Sequence, residues 1–92
     1  MTKEQEQANR VKLHQLLDLV LDINGFEKRQ AEKTGDKPTV FFEINGHVAD
    51  CDVSVYKTGW AEGEHSDMGG SFYFNESMNV DELIRRLQGL VK

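Results

Sequence analysis

Asn45-Gly46 stands between two runs rich in β-branched and aromatic residues, TVFFEI at 39–44 and HVADCDVSVY at 47–56, and no other stretch constrains the fold as strongly. A two-residue type I′ turn needs the positive φ angles that Asn and Gly adopt at little cost. On such a turn Ile44 faces His47, Phe42 faces Ala49 and Val40 faces Cys51, and strand alternation carries the same face on to Val53 and Val55. One side of the hairpin is then almost wholly apolar. The other carries Phe41, Glu43, Val48, Asp50, Asp52, Ser54 and Tyr56.

On either side of the hairpin the period changes. Thr2 and Gln5 have the spacing of a capping box, and Leu13, Leu16, Leu17, Val20 and Ile23 follow as the apolar face of a first helix, polar all round and prone to fray up to about Arg10. Asn24-Gly25-Phe26 ends it, with Phe26 expected to pack back near Leu21. Residues 27–37, EKRQAEKTGDK, have no apolar period and leave three alternatives: a solvated loop, a short helical turn, or a charged edge strand at 27–33. Residues 57–70 form a long loop, Ser71 to Asn75 a third strand with Phe72 and Phe74 inward and Tyr73 outward beside Tyr56. Asn79 and Glu82 then mark the start of a last helix with an apolar stripe through Val80, Leu83, Ile84, Leu87, Leu90 and Val91, and Arg85, Arg86 and Lys92 lie toward its C-terminus.

One apolar sheet face and two one-sided helices fit together as two layers. The expected fold is α+β, a helix, a three-stranded antiparallel meander and a helix, both helices on one sheet face, in a single domain over residues 1–92. The other sheet face is left open.

The net charge of −5 is unevenly placed. Residues 1–38 carry seven acids and seven bases, residues 39–82 nine acids and only Lys57, and residues 83–92 three bases. An acidic sheet repels phosphate backbones and attracts basic partners, which argues against direct nucleic-acid binding. The single Cys51, and an N-terminus without the apolar run of a signal peptide, predict a reducing, cytoplasmic setting. No segment approaches the roughly 18 apolar residues of a membrane span.

His14, His47 and His65 share no metal-ligand spacing, so neither metal nor cofactor is expected, and Cys51 beside Asp50 and Asp52 reads as a small buried hydrophobe. No catalytic signature is present. An enzymatic or metal-dependent alternative rests on Glu62, Glu64, His65 and Asp67 of the long loop. The stronger candidate is the open face. Phe41, Tyr56 and Tyr73 with Glu43, Asp50 and Asp52 suit a protein partner bearing a basic patch, since aromatics anchor interfaces and opposite charge steers encounter. Against it stands coverage of this face by the first helix, residues 27–37 or the long loop. Trp60 is either an anchor for that partner or a lid over one end of the core.

The run PTVFFEINGHVADCDVSVYKTGW, in a small acidic chain of this layout, resembles the small proteins encoded by phages and prophages of Gram-positive bacteria. That resemblance implies a modulator of a host protein, or an acidic mimic of nucleic acid that occupies a host enzyme's DNA-binding groove. A monomer is favoured over a homodimer paired through the third strand, because Glu62, Glu64 and Asp67 repel across such a dyad.

Overall fold

Thr2 and Gln5 form the reciprocal cap that their spacing predicts. In the computed structural model, which describes residues 1–91, the Thr2 hydroxyl accepts from the Gln5 amide at 3.1 Å and the Gln5 side chain from the Thr2 amide at 2.9 Å. Helix α1 then spans Lys3–Asn24, and Gly25, at φ 67°, ends it by donating its amide to the Leu21 carbonyl. The first turns are helical from Lys3 onward. Asn9 is buried among them, donating to the carbonyls of Phe74 and Glu76 at 3.2 and 2.6 Å and accepting from the Met78 amide at 3.2 Å, so the chain before the last helix ties them down. Phe26, by contrast, is 91% exposed and makes no staple to Leu21.

Three antiparallel strands follow in the order β1 (Thr39–Asn45), β2 (Asp50–Tyr56) and β3 (Met68–Tyr73). The hairpin register differs from the expected one by four residues. Val40 pairs with Val55, Phe42 with Val53, Ile44 with Cys51 and Asn45 with Asp50, so residues 46–49 make a four-residue loop that holds His47 and Ala49. Two interactions explain the shift. Asn45 stays extended and gives its amide to the Asp50 and Asp52 carboxylates at 2.9 and 3.0 Å, while Ala49 takes the positive φ, 53°, that the expected turn assigned to Asn45 and Gly46. This register also pairs Val53 and Val55 with β1, where the shorter turn leaves them without partners. A shift of four is even, so every side chain keeps its face.

The long loop ends early because β3 begins at Met68, not Ser71. Phe74 lies beyond the strand but still packs on the core. Of the three alternatives for 27–37, a single short helical turn forms, α2 (Ala31–Thr34), and no fourth strand joins the sheet among the described residues. Helix α3 starts at Asp81 (Asp81–Gln88) without a side-chain cap. Here packing overrides the capping signal: Met78 and Val80 are buried, which fixes the chain's entry, and Glu82 turns to Arg85 and Arg86 instead of back to Asn79. Lys92, expected near this terminus, lies outside the described residues.

Both helices cover one sheet face. Leu16, Val20 and Ile23 of α1 and Leu83, Ile84 and Leu87 of α3 enclose Val40, Cys51, Val53 and Val55, with Met78 and Val80 closing the end. Leu16, Cys51, Val55 and Leu87 are fully buried, so truncating either leucine costs about 2–5 kcal/mol. Ile44 has the correct face but sits at the hairpin end beyond the helices and is 59% exposed.

Candidate functional site

Alternation places Thr39, Phe41, Glu43 and Asn45 of β1, Asp50, Asp52, Ser54 and Tyr56 of β2, and Gly69, Ser71 and Tyr73 of β3 on the face away from the helices. The register arranges them in rows. Phe41, Ser54 and Gly69 lie side by side, and the next row is Glu43, Asp52 and Ser71.

At one end of this face an aromatic cluster forms. Phe41 meets Tyr56 across the strand diagonal, ring centroids 5.5 Å apart and tilted by 55°, and meets Trp60 at 6.3 Å and 43°. Both are geometries that favour ring pairs. Trp60 reaches this position because the charged segment 27–37 holds it. The Ala31 amide of α2 donates to the Trp60 carbonyl at 2.8 Å, and Gly59, at φ 96°, lies where a Cβ would stand 3.0 Å from the Gly35 carbonyl and 3.2 Å from the Ala31 Cβ. Only glycine fits that approach. Trp60 is thus half-buried as part of the open face, not a lid on the core.

The acids occupy the adjoining row and the one beyond. Asp52 accepts from the Ser71 hydroxyl on one oxygen and from the Asn45 amide on the other, and Asn45 also bridges to Asp50. Glu43 lies directly opposite Asp52. No Lys or Arg stands among the outward strand residues, and the ion pairs among the described residues join Glu82 to Arg85 and Arg86. Between the aromatics and the acids the surface is hollow, a depression of about 590 Å³ floored by Ser54 and Gly69 and rimmed by Phe41, Tyr56, Glu43, Asp52 and Ser71.

Six of the seven expected residues share this face with Trp60, but they do not form one cluster. Tyr73 pairs with Asp50, six residues along β2 from Tyr56 and so ~20 Å away, which corrects its expected place beside that ring. Gly69, Ser71 and the hollow they shape were missed. The available signal was Gly69-Gly70 itself, since glycine in a strand often marks a close backbone approach. A Cβ on Gly69 would collide with the Val53 carbonyl.

The long loop offers less. Asp67 closes it, accepting from the Lys57 amide at 2.7 Å and donating its own amide to the Val55 carbonyl, and Glu62, Glu64 and His65 are exposed. No group of three His, Cys, Asp or Glu able to hold a metal occurs among the described residues. Cys51 is buried, and burial followed by the charges of Asp52 and Asp50 pushes its thiol above the usual range. No described helix is long and apolar enough to cross a membrane. No family model matches the chain, and no curated protein or solved structure matches it.

Proposed function

We propose that this chain is a non-enzymatic interaction module that takes a basic protein partner on its open sheet face, acting as a monomer in a reducing cytoplasm. One observation carries the reading: the face away from α1 and α3 sets Phe41, Tyr56 and Trp60 directly beside Glu43 and Asp52, with no cation among the outward strand residues and Lys28 and Arg29 only along its β1 edge. Half-exposed aromatics supply contact area at low entropic cost, and the carboxylates steer a positive surface toward them. Neither feature helps the core, which lies on the other face. The resemblance to small phage-encoded proteins makes a host protein the natural partner.

The test compares proteins captured from a Gram-positive bacterial lysate by the wild-type chain, by Phe41→Ser/Tyr56→Ser, and by Leu17→Ser/Leu21→Ser on the exposed side of α1. The reading expects a captured protein with a basic surface to be lost with the first variant and kept with the second. Retention by a folded Phe41→Ser/Tyr56→Ser chain excludes the open face.

A further inference from the structure

We infer that the hollow over Gly69 receives an arginine side chain from that partner, a conclusion that rests on the protein-partner reading. Its shape comes from what is missing. In the row Phe41, Ser54, Gly69, one aromatic is followed by a small residue and then by none, so the surface falls away from the Phe41 and Tyr56 rings toward β3. The next row along the strands, ~7 Å away, presents the carboxylates of Glu43 and Asp52. A flat cation lying in the hollow has the aromatic residues Phe41 and Tyr56 on one flank and the carboxylates of Glu43 and Asp52 on the other.

The carboxylates have capacity left. Asp52 accepts one hydrogen bond on each oxygen, from Ser71 and Asn45, and each oxygen has a second lone pair. Glu43 makes no ion pair among the described residues. Moreover, Glu43 and Asp52 are directly opposed like charges, with Asp50 two residues further along the same face, an arrangement that weakens a sheet. A bound cation turns that repulsion into attraction. Ser71 and Asn45 relieve Asp52 only as neutral donors.

Between the two side-chain cations, the geometry favours arginine. A guanidinium is planar, stacks on aromatic faces and presents a fork of N–H donors to carboxylates, whereas an ammonium is a compact, strongly hydrated point charge. A plane can stack on a ring with its face while its edge donates to a carboxylate, and an ammonium cannot do both.

The experiment titrates the 15N-labelled chain with acetyl-Ser-Val-Arg-Val-Ser-amide and with its lysine and citrulline counterparts, citrulline having nearly the same shape without the charge. The expected result is saturable shifts centred on the amides of Phe41, Asp52, Gly69 and Ser71 and the Trp60 indole. Binding should weaken several-fold with lysine and about tenfold or more with citrulline or with Glu43→Gln/Asp52→Asn. Phe41→Leu, which keeps apolar bulk without a ring, should narrow the preference of arginine over lysine. Equal shifts from the citrulline peptide, or shifts at Glu62, Glu64, Asp81 and Glu82 as large as at Asp52, overturn the inference. If arginine and lysine bind equally while Phe41→Ser/Tyr56→Ser still releases a captured basic protein, the module reading stands and the arginine site falls.

Discussion

The Asn24 side chain completes the outer edge of β1 as a peptide group would, accepting the Val40 N–H and donating to the Val40 carbonyl, both at 2.8 Å. Val55, the partner of Val40, turns its own carbonyl to Asp67 on the β3 side, so the Val40 main chain faces outward and has only Asn24 to meet it. Replacing Asn24 with Ala removes both bonds at a buried residue and should lower stability by about 1–3 kcal/mol. Urea denaturation measures it. A midpoint unchanged from wild type contradicts this account of the edge.

Gly69 and Gly70 are adjacent but not equivalent. A Cβ at Gly69 meets the Val53 carbonyl, which is fixed in the sheet, whereas one at Gly70 comes within 3.1 Å of the end of the Phe72 ring, which can turn. Gly69→Ala should therefore cost more than ~2 kcal/mol and Gly70→Ala clearly less. Thermal unfolding of the pair checks the order, and a reversed order refutes the claim of close strand approach at β3.

How far the sequence revealed this architecture depends on the range of the forces involved. The faces of Phe41, Phe42, Tyr56 and Cys51 were legible because alternation survives any even shift in register. The register itself was not, since the local Asn45-Gly46 signal lost to side-chain bonds from Asn45 to Asp50 and Asp52 and to full-length strand pairing. The start of α3 failed for a similar reason: burial of Met78 and Val80 outweighed a well-formed capping motif. Asn9 looked like one polar residue in a polar turn, because the main-chain groups it bonds lie 65 or more positions away. At the site, three carboxylates and three aromatics, Phe41, Tyr56 and Tyr73, could be assigned to one face from periodicity alone. Trp60 could not be placed, since its position depends on α2 and Gly59, and Tyr73, on the right face, was assigned to the wrong row along with the start of β3.

The opposed carboxylates of Glu43 and Asp52 make a third prediction. Glu43→Gln removes the repulsion while keeping the shape, so the variant should be more stable than wild type by about 0.2–1 kcal/mol at low salt. The gain should shrink as salt shortens electrostatic reach to ~10 Å or less above 0.1 M. Denaturant curves at two ionic strengths decide it, and a destabilised variant contradicts the assignment of Glu43 to a site that needs a cation.

Cys51 should behave as a core side chain whose thiol resists ionisation. Burial and the charges of Asp52 and Asp50 raise its folded pKa above the unfolded one. The native state thus binds the proton more tightly, so its stability is intact below the ordinary thiol range and declines as pH rises through that range toward the raised value. Comparing wild type with Cys51→Ala across alkaline pH isolates this slope from the tyrosines and lysines. The two should differ by a cavity cost at neutral pH, and the difference should narrow as pH rises; a constant difference contradicts it. Native Cys51 should also react with thiol reagents only as fast as the chain opens.

The central claim, that partners dock on the open sheet face, is tested most directly by amide hydrogen exchange of the chain with and without a captured basic protein. The account predicts added protection at Phe41, Asp52, Ser54, Trp60 and Ser71, little change in α3, and loss of that protection in Glu43→Gln/Asp52→Asn. Protection confined to Leu17, Leu21 and the outer side of α1, with the open face exchanging as in the free chain, contradicts it.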